Sequence, residues 1–386
     1  MKIVRMANYV GPRSGGMRTA LRELGTGYLA AGHQPVLIIP GPHRDDEESA
    51  QGRVITLPGP VVPFFGGYRA LLARHKVAMM LADLKSDRLE VSDQTTLRWT
   101  GRWARKNGVP AVMVAHESMT GLLSIPADTT GMSRWRSALL SSMARAVADS
   151  LNRGSAKDYE RIICTTKWAA AEFERIGAPN LIRIPLGVDL DLFHPEHYSE
   201  EVRARHAAPG QVLLVHCGRL SLEKKPHRSL LTLEALRAAG TDAVLVVAGD
   251  GPVRGRLERL TECKNLPVTF TGFIPDPKAV AALLASADVV IAPGPLETFG
   301  LAALEALACG TPVVVSTDSA LPEVIGGAGV ACGGEDLAPG VATVLGWPAC
   351  QRRADARARA ERFGWPAAIE AFLAVHEALE IVKVGQ

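Results

Sequence analysis

The chain has 386 residues, 47% hydrophobic and 22% charged, with 37 Gly and 25 Pro, which excludes disorder, collagen and coiled coil and points to two α/β units. The formal net charge is only +3, but residues 1–180 hold 24 Lys and Arg against 16 Asp and Glu, while the remainder holds 19 against 24. A basic first half, open to an anionic partner, precedes an acidic second one.

Uncharged runs such as Val54–Tyr68 and Leu337–Gln351 are 15 residues each and broken by Pro and Gly, short of a membrane-spanning helix. The opening MKIVRMANYVG carries no apolar stretch of signal-peptide length and reads as a first strand. Apolar, β-rich runs then recur at helix-sized intervals: KIVRMA, PVLIIP, VITLP, LEVSD, AVMVAHE, RIICTT and LIRIPLG. This alternation predicts a parallel sheet with crossover helices. Gly187 to Gly210, rich in charge, His and Pro and without periodicity, is the expected linker. A second parallel sheet is predicted from QVLLVHCGR, AVLVVAGDG, VTFTGF, ADVVIAPG and TPVVVST, with helical SLLTLEALRAAG and PKAVAALLASA between them. Two Rossmann-like domains facing across a cleft follow, and Trp365–Val384 closes the chain as an amphipathic helix. The six cysteines are far apart, without CxxC or Cys/His clusters, and read as reduced, buried and cytoplasmic.

Ligands of open parallel sheets bind beyond the carboxyl ends of strands, and the polar oddities fall there. In APGPLETFGLAALEALACGTPVVVS, Glu297 and Glu305 stand eight apart across a turn that opens a helix. Backbone N–H groups of Phe299, Gly300, Leu301 and Ala302 at that helix start would hold an anion, helped by the helix dipole. One carboxylate then suits sugar hydroxyls and the other a ribose; the bland alternative is that Glu297 caps the helix and Glu305 is solvated. VHCGRLSLEKKP places Arg219 and Lys224 after the first strand of the second sheet, a planar fork and a point charge suited to a leaving diphosphate. NYVGPRSGGMRTAL puts Gly15 and Gly16, with Arg18 close behind, between a strand and a helix, where glycine permits close backbone approach to a phosphate or sugar. His116 ends a strand, and by itself reads more readily as structural. Asp87 and Asp93, which flank or end a first-domain strand, and Arg18 are candidates to line an acceptor site. Asp189 and Asp191 form a DxD within PLGVDLDLF; a metal role is rejected, since Arg219, Lys224 and a helix dipole can neutralise a diphosphate without one.

Together these residues resemble the retaining glycosyltransferases of family 4, of the GT-B fold, over nearly the whole length. In that family a Gly-Arg-Leu segment with a lysine five positions after the arginine grips the diphosphate, here Arg219 and Lys224, and two glutamates separated by seven residues form the signature, here Glu297 and Glu305. Lys225 stands where many members have glycine, so either lysine is open as the grip. IPLGVDLDLFHP resembles the start of the interdomain linker, VVAGDGP a strand before a nucleotide-facing loop, FTGFI (Gly272, Phe273, Ile274) the base-contacting loop, and FGWPAAIEAF the start of the terminal helix. The resemblance implies Gly15 and Gly16 near the donor phosphates and His116 on the transferred sugar. It also implies an α/β, GT-B chain: an acceptor and membrane-facing domain 1–190, joined by a helix 368–386 that crosses back, and a nucleotide-sugar domain 191–367.

More narrowly, GPRSGG, GPVVPFFGGYRALL, LEVSDQTTL, VAHES and CTTKWAAAEF resemble actinobacterial mannosyltransferases acting on phosphatidylinositol mannosides. That implies GDP-mannose as donor with no cofactor or metal, an anionic glycolipid acceptor, and a peripheral place on the inner membrane face. The basic first half, Phe64–Lys76, and Arg134–Arg145 with Trp135 and Arg136 suit an anionic surface. The expected chemistry is departure of the diphosphate through an oxocarbenium-like state with acceptor attack on the same face. A UDP-sugar with a soluble acceptor remains the alternative, and oligomeric state is open. A dinucleotide oxidoreductase would need a glycine fingerprint that Gly11–Gly16 does not supply, and no nucleic-acid motif accompanies the basic half.

Overall fold

Parallel strands buried on both faces read as continuous apolar runs, and this sequence builds two such sheets. The computed structural model describes residues 1–11, 15–62, 67–123 and 134–380, with the side chains of 134–139 left out. Pro12–Ser14 of the glycine loop, Phe64–Gly66, and the side chains of Trp135 and Arg136 therefore lie outside the described residues.

The first unit contains β1 (Lys2–Met6), β2 (Gln34–Gly41), β3 (Asp45–Ser49), β4 (Gly52–Pro58), β5 (Arg88–Val91), β6 (Ala111–Ala115), β7 (Arg161–Cys164) and β8 (Leu181–Arg183), in the order β3-β4-β2-β1-β5-β6-β7-β8. All pairings are parallel except that β3 runs antiparallel to β4. An all-parallel sheet was the expectation, and β3 corrects it. Its sequence, DDEES, has no apolar residue, because an exposed edge strand needs only its neighbour's hydrogen bonds.

The second unit contains β9 (Val212–Cys217), β10 (Ala243–Ala248), β11 (Val268–Gly272), β12 (Val289–Ala292), β13 (Val313–Ser316) and β14 (Gly329–Cys332), all parallel, in the order β11-β10-β9-β12-β13-β14. The unexpected strand here is β14, four residues long and opened by a glycine whose added Cβ would lie 2.1 Å from the Val313 carbonyl. In each sheet the order reverses at one place, between β1 and β5 and between β9 and β12. Such switch points leave a crevice at the strand ends where ligands sit.

The units divide at Pro185/Leu186 and Gly364/Trp365, where the expected divisions were 190/191 and 367/368. Val188 donates its N–H to the Phe363 carbonyl at 2.7 Å and pairs with Gly364, so both crossings are anchored in the second unit. The Gly187–Gly210 segment is not a free linker: it forms the helix Glu200–Ala204, capped by Ser199, and Arg203 ties it to Asp288 and to the Ser286 carbonyl. Two of the six cysteines, Cys263 and Cys350, are exposed rather than buried, because they lie on outward faces of the helices Arg254–Lys264 and Ala349–Ala360.

The last helix is Trp365–Ala378, shorter than the predicted 368–386 at its far end and longer at its start; residues 381–386 lie outside the described residues. It returns to the first unit, where Ile369 occupies the space that a side chain at Gly27 would fill, with Cδ1 2.5 Å from an ideal Cβ. Arg88 donates to the carbonyls of His376 (2.7 Å) and Leu379 (2.9 Å), satisfying the helix end. Beneath lies a buried charge cluster: Glu90 of β5 accepts from Arg5 Nε of β1 at 2.8 Å, from Tyr28 Oη at 2.8 Å and from His376 Nε2 at 2.9 Å. Burial alone would raise the Glu90 carboxyl, but Arg5 and His376 outweigh it and hold it well below the usual carboxylate range.

Glu90→Gln should therefore lower the unfolding free energy by about 3 kcal/mol, the effect of breaking a buried pair, measured by urea denaturation. A carboxyl with a depressed folded pKa stabilises above its unfolded value and loses that contribution as pH falls. The wild-type thermal midpoint should thus drop more steeply than that of Glu90→Gln below pH 4.5, the ordinary value for this group.

Candidate functional site

In the second unit the loops leaving β9 and β12 meet at the switch point. After β9 the chain turns at Gly218 (φ 157), passes Arg219 and forms one 3-10 turn, Leu222–Lys224. Lys224 Nζ donates to Glu297 Oε1 at 2.5 Å, joining the two loops. Lys225 sits at φ 43, the left-handed region that glycine adopts freely, so Lys225 shapes the turn while Lys224 reaches the carboxylate.

Glu297 does not cap the following helix, Leu301–Ala308, whose N-cap is Gly300 at φ 79 with no side-chain partner. The first amides bonded to the Gly300 carbonyl are those of Ala303 and Leu304, so those ahead of them have no acceptor within the helix and can meet an anion. A side chain at Gly300 would put its Cβ 2.1 Å from Leu321 Cδ2. Phe299 and Leu301 are buried, Ala302 and Glu305 half-buried. The Glu297 carbonyl accepts from the Ala320 amide at 2.9 Å, fastening this loop to the one after β13.

The neighbouring loops close in on backbone contacts. Gly249, after β10, has φ 147, and an added Cβ would lie 1.9 Å from the Gly218 carbonyl oxygen. Its amide donates to the Gly272 carbonyl at 2.9 Å, and Phe273, just beyond β11, presents an exposed ring beside half-buried Ile274. Two buried residues that sequence reasoning missed hold this frame. Arg228 donates through Nη1 to the Pro293 carbonyl (2.9 Å) and to Ser316 Oγ (3.2 Å), linking the exits of β12 and β13. His216 pairs with Ser229 Oγ at 2.9 Å, and burial pushes its pKa down to about 4, against the pull of Glu297, so the ring is neutral at physiological pH. Arg228 has the sequence signature of an ordinary helix-start arginine, and nothing local distinguishes it.

In the first unit, His116 leaves β6 with Nε2 3.2 Å from Ser92 Oγ. Burial lowers its pKa to about 4, which makes it a neutral hydrogen-bonding group rather than a cation. It lines one small pocket with Tyr9, Ser92, Gln94 and Glu117. Asp93 borders the same pocket but is committed to its own turn, accepting from Asn8 Nδ2 (2.7 Å), Thr95 N (2.6 Å) and Oγ1 (2.6 Å), and Thr96 N (3.2 Å) and Oγ1 (2.7 Å). Gly15 is the N-cap of the helix Gly16–Ala30, at φ −82 and with open space around it, so neither strain nor crowding demands glycine there. Gly16 and Arg18 are exposed on the first turn. Asp87 receives the Lys2 amide at the amino end of β5, away from the ligand edge, and Asp189 caps its own turn by accepting from Asp191 N and Leu192 N. Among the described residues no group of three or more His, Cys, Asp or Glu could hold a metal ion.

Two family models divide the chain between them: "Glycosyl transferase 4-like domain" matches residues 15–187 and "Glycosyl transferases group 1" matches 199–358. A relative from Mycobacterium tuberculosis, the GDP-mannose-dependent alpha-(1-6)-phosphatidylinositol dimannoside mannosyltransferase, is 48% identical over 386 residues, covering 99% of this chain and 97% of the relative. The chain is a family 4 glycosyltransferase of the GT-B fold. The transferase is also 26% identical over 320 residues to a GDP-mannose-dependent alpha-mannosyltransferase of Mycolicibacterium smegmatis, covering 81% of this chain and 79% of that one. In fold it matches sucrose-phosphate synthase from Thermosynechococcus elongatus, with TM-score 0.74, 22% identity, and coverage of 97% of this chain and 98% of that one.

The crowding at Gly249 gives a direct check on this arrangement. Gly249→Ala should force the Gly218–Arg219 turn out of place and cut transferase activity by on the order of a hundredfold, the effect of misplacing a reacting group by about 1 Å. Gly327→Ala, where an added Cβ meets nothing, should leave steady-state rates at the wild-type level.

Proposed function

We propose that this transferase moves mannose from GDP-mannose to a hydroxyl of a phosphatidylinositol mannoside, with retention of configuration, at the cytoplasmic face of the membrane. The observation that carries the reading is the 48% identity, across 99% of the chain, to a relative named for that donor and acceptor.

On this reading the diphosphate lies between Arg219, Lys224 and the amides ahead of Ala303. As the glycosidic bond breaks, negative charge grows on the leaving phosphate, and preorganised donors stabilise that change. The phosphate competes with Glu297 for Lys224, and Glu297, freed from the pair, accepts from the sugar hydroxyls. Glu305 takes the ribose and Phe273 stacks on the base. Neutral His116 bonds to the transferred hexose without adding a charge to an oxocarbenium-like centre. No step calls for a metal, since two fixed cations and a helix dipole already offset the diphosphate.

The bilayer contact is supported by a feature absent from the sequence expectation. The helix Trp99–Lys106, WTGRWARK, carries Arg102, Arg105 and Lys106 directly after Arg98, with Trp99 and Trp103 half-buried against the core. Basic side chains beside indoles are the composition of an interfacial surface. Arg105 pairs with Asp158, while Arg102 is 3.5 Å from the same carboxylate and its side chain is 69% exposed. No helix among the described residues is long and apolar enough to cross a membrane.

At a hundredfold excess over Kd, GDP and GDP-mannose should raise the thermal midpoint by roughly 5–10 °C while UDP, UDP-glucose and NAD leave it in place; a selective response to UDP compounds would remove the mannose assignment. Glu297→Gln and Arg219→Ala should each lower kcat by on the order of a hundredfold or more with an unchanged thermal midpoint. Arg102→Gln should weaken binding to phosphatidylinositol-containing vesicles by about fivefold, with no change on pure phosphatidylcholine, in a sedimentation assay.

A further inference from the structure

Gln94 follows β5 at the switch point of the first unit and is 4% exposed, yet neither its Oε1 nor its Nε2 has a hydrogen-bond partner among the described residues. Each buried polar group left unmade costs about 1–3 kcal/mol, and an apolar side chain of the same shape would avoid that. Buried polar groups in native proteins are overwhelmingly paired, so an amide with both ends open marks a place where something else binds.

The surroundings indicate what that is. Gln94 shares its pocket with Tyr9, Ser92, His116 and Glu117, and the cavity volume is about 10 Å3, the space taken by one water or one hydroxyl. Burial keeps His116 neutral, and the described residues that line the pocket include no Lys or Arg to attract a phosphate. Tyr9 adopts φ 59, a left-handed conformation that is strained for an aromatic residue, and its ring meets Tyr68 edge-on at 6.3 Å, which fixes the pocket wall. The last torsion of a glutamine is soft, so either amide atom can turn into the space. A hydroxyl is at once donor and acceptor, and one amide can satisfy both of its roles.

We propose that this pocket is a hydroxyl-reading subsite in which Gln94 donates through Nε2 to, and accepts through Oε1 from, a hydroxyl of the sugar or polyol that the enzyme positions for reaction. The proposal rests on the transferase reading above and adds a specificity-determining residue to it. The hydroxyl can belong to the transferred hexose or to the acceptor, and the two sources are separable by kinetics.

The test uses Gln94→Met, which keeps length and removes both polar atoms. The thermal midpoint should hold or rise, because the open amide is gone, while kcat/KM falls by roughly tenfold for one lost hydrogen bond. Mono-deoxy analogues of GDP-mannose, in acceptor-free hydrolysis, and mono-deoxy acceptors, in transfer, then locate the hydroxyl. One analogue should cost the wild type the same factor and cost Gln94→Met nothing further, the non-additivity of a direct contact. A donor analogue doing so assigns the hexose, and an acceptor analogue assigns the acceptor. Additive losses for every analogue, or wild-type kcat/KM in Gln94→Met, overturn the proposal and leave a pocket for bound solvent. If Gln94→Met unfolds, Gln94→Leu replaces it, and loss of midpoint and activity together in both variants makes the residue structural and also overturns it. If GDP-mannose does not shift the wild-type midpoint, the donor assignment has failed independently, and the same series is run with the nucleotide sugar that does.

Discussion

A single carboxylate buried between two strands and two helices sets the geometry of the first unit. Glu90 on β5 joins Arg5 on β1, Tyr28 on the first helix and His376 on the last. Removing charges from water is costly, and the penalty is offset only when every partner is in place with good geometry. The cluster therefore specifies one arrangement of β1 and β5. Those strands flank the reversal in sheet order, and a few residues beyond their ends lie Tyr9, Ser92 and Gln94. The pocket at the strand tips is thus built on two strands joined by a charge pair in the middle of the sheet.

The second unit reaches similar precision by close backbone approach. Gly249 against the Gly218 carbonyl, Gly251 against the Leu220 carbonyl and Gly300 against Leu321 are positions where an added Cβ would come within 2.3 Å of a neighbour. The first two fix the backbone of the loop that leads to Lys224 and the third the helix start that follows Glu297, and Arg228 ties the exits of β12 and β13. The Lys224–Glu297 pair is thus held on a fixed backbone, so its charges need little further ordering.

Much of this was legible in the sequence because it is local. The central strands of both units read directly from apolar runs, and Glu297, Glu305, Arg219 and Lys224 stood out because each motif sits within a dozen residues on a strand-to-helix turn. What escaped is what depends on partners far along the chain. Glu90 looked like one polar residue in LEVSD, since nothing near it announces His376, 286 residues later. Strand β3 escaped because an edge strand needs no hydrophobic face, and the 187–210 segment escaped because its order comes from Asp288 and Ser286 rather than from its own periodicity. Gln94 carried no signal at all: an unpaired amide is visible only once the space around it is known.

The placement of the last helix also dictates an order of events as the polypeptide is made. The second unit, Leu186–Gly364, is one continuous segment and has every residue it needs before Trp365 is synthesised. The first unit begins earlier but finishes later, because Glu90 and Arg88 wait for His376 and Leu379. Until then Arg5 and Glu90 have a nearly complete sheet but an open flank, and Gly27 has no Ile369 to cover it. Domains generally fold as units and from the N-terminal end; here the N-terminal one is sealed last, and the nascent chain holds a half-closed Rossmann sheet through the synthesis of an entire second one.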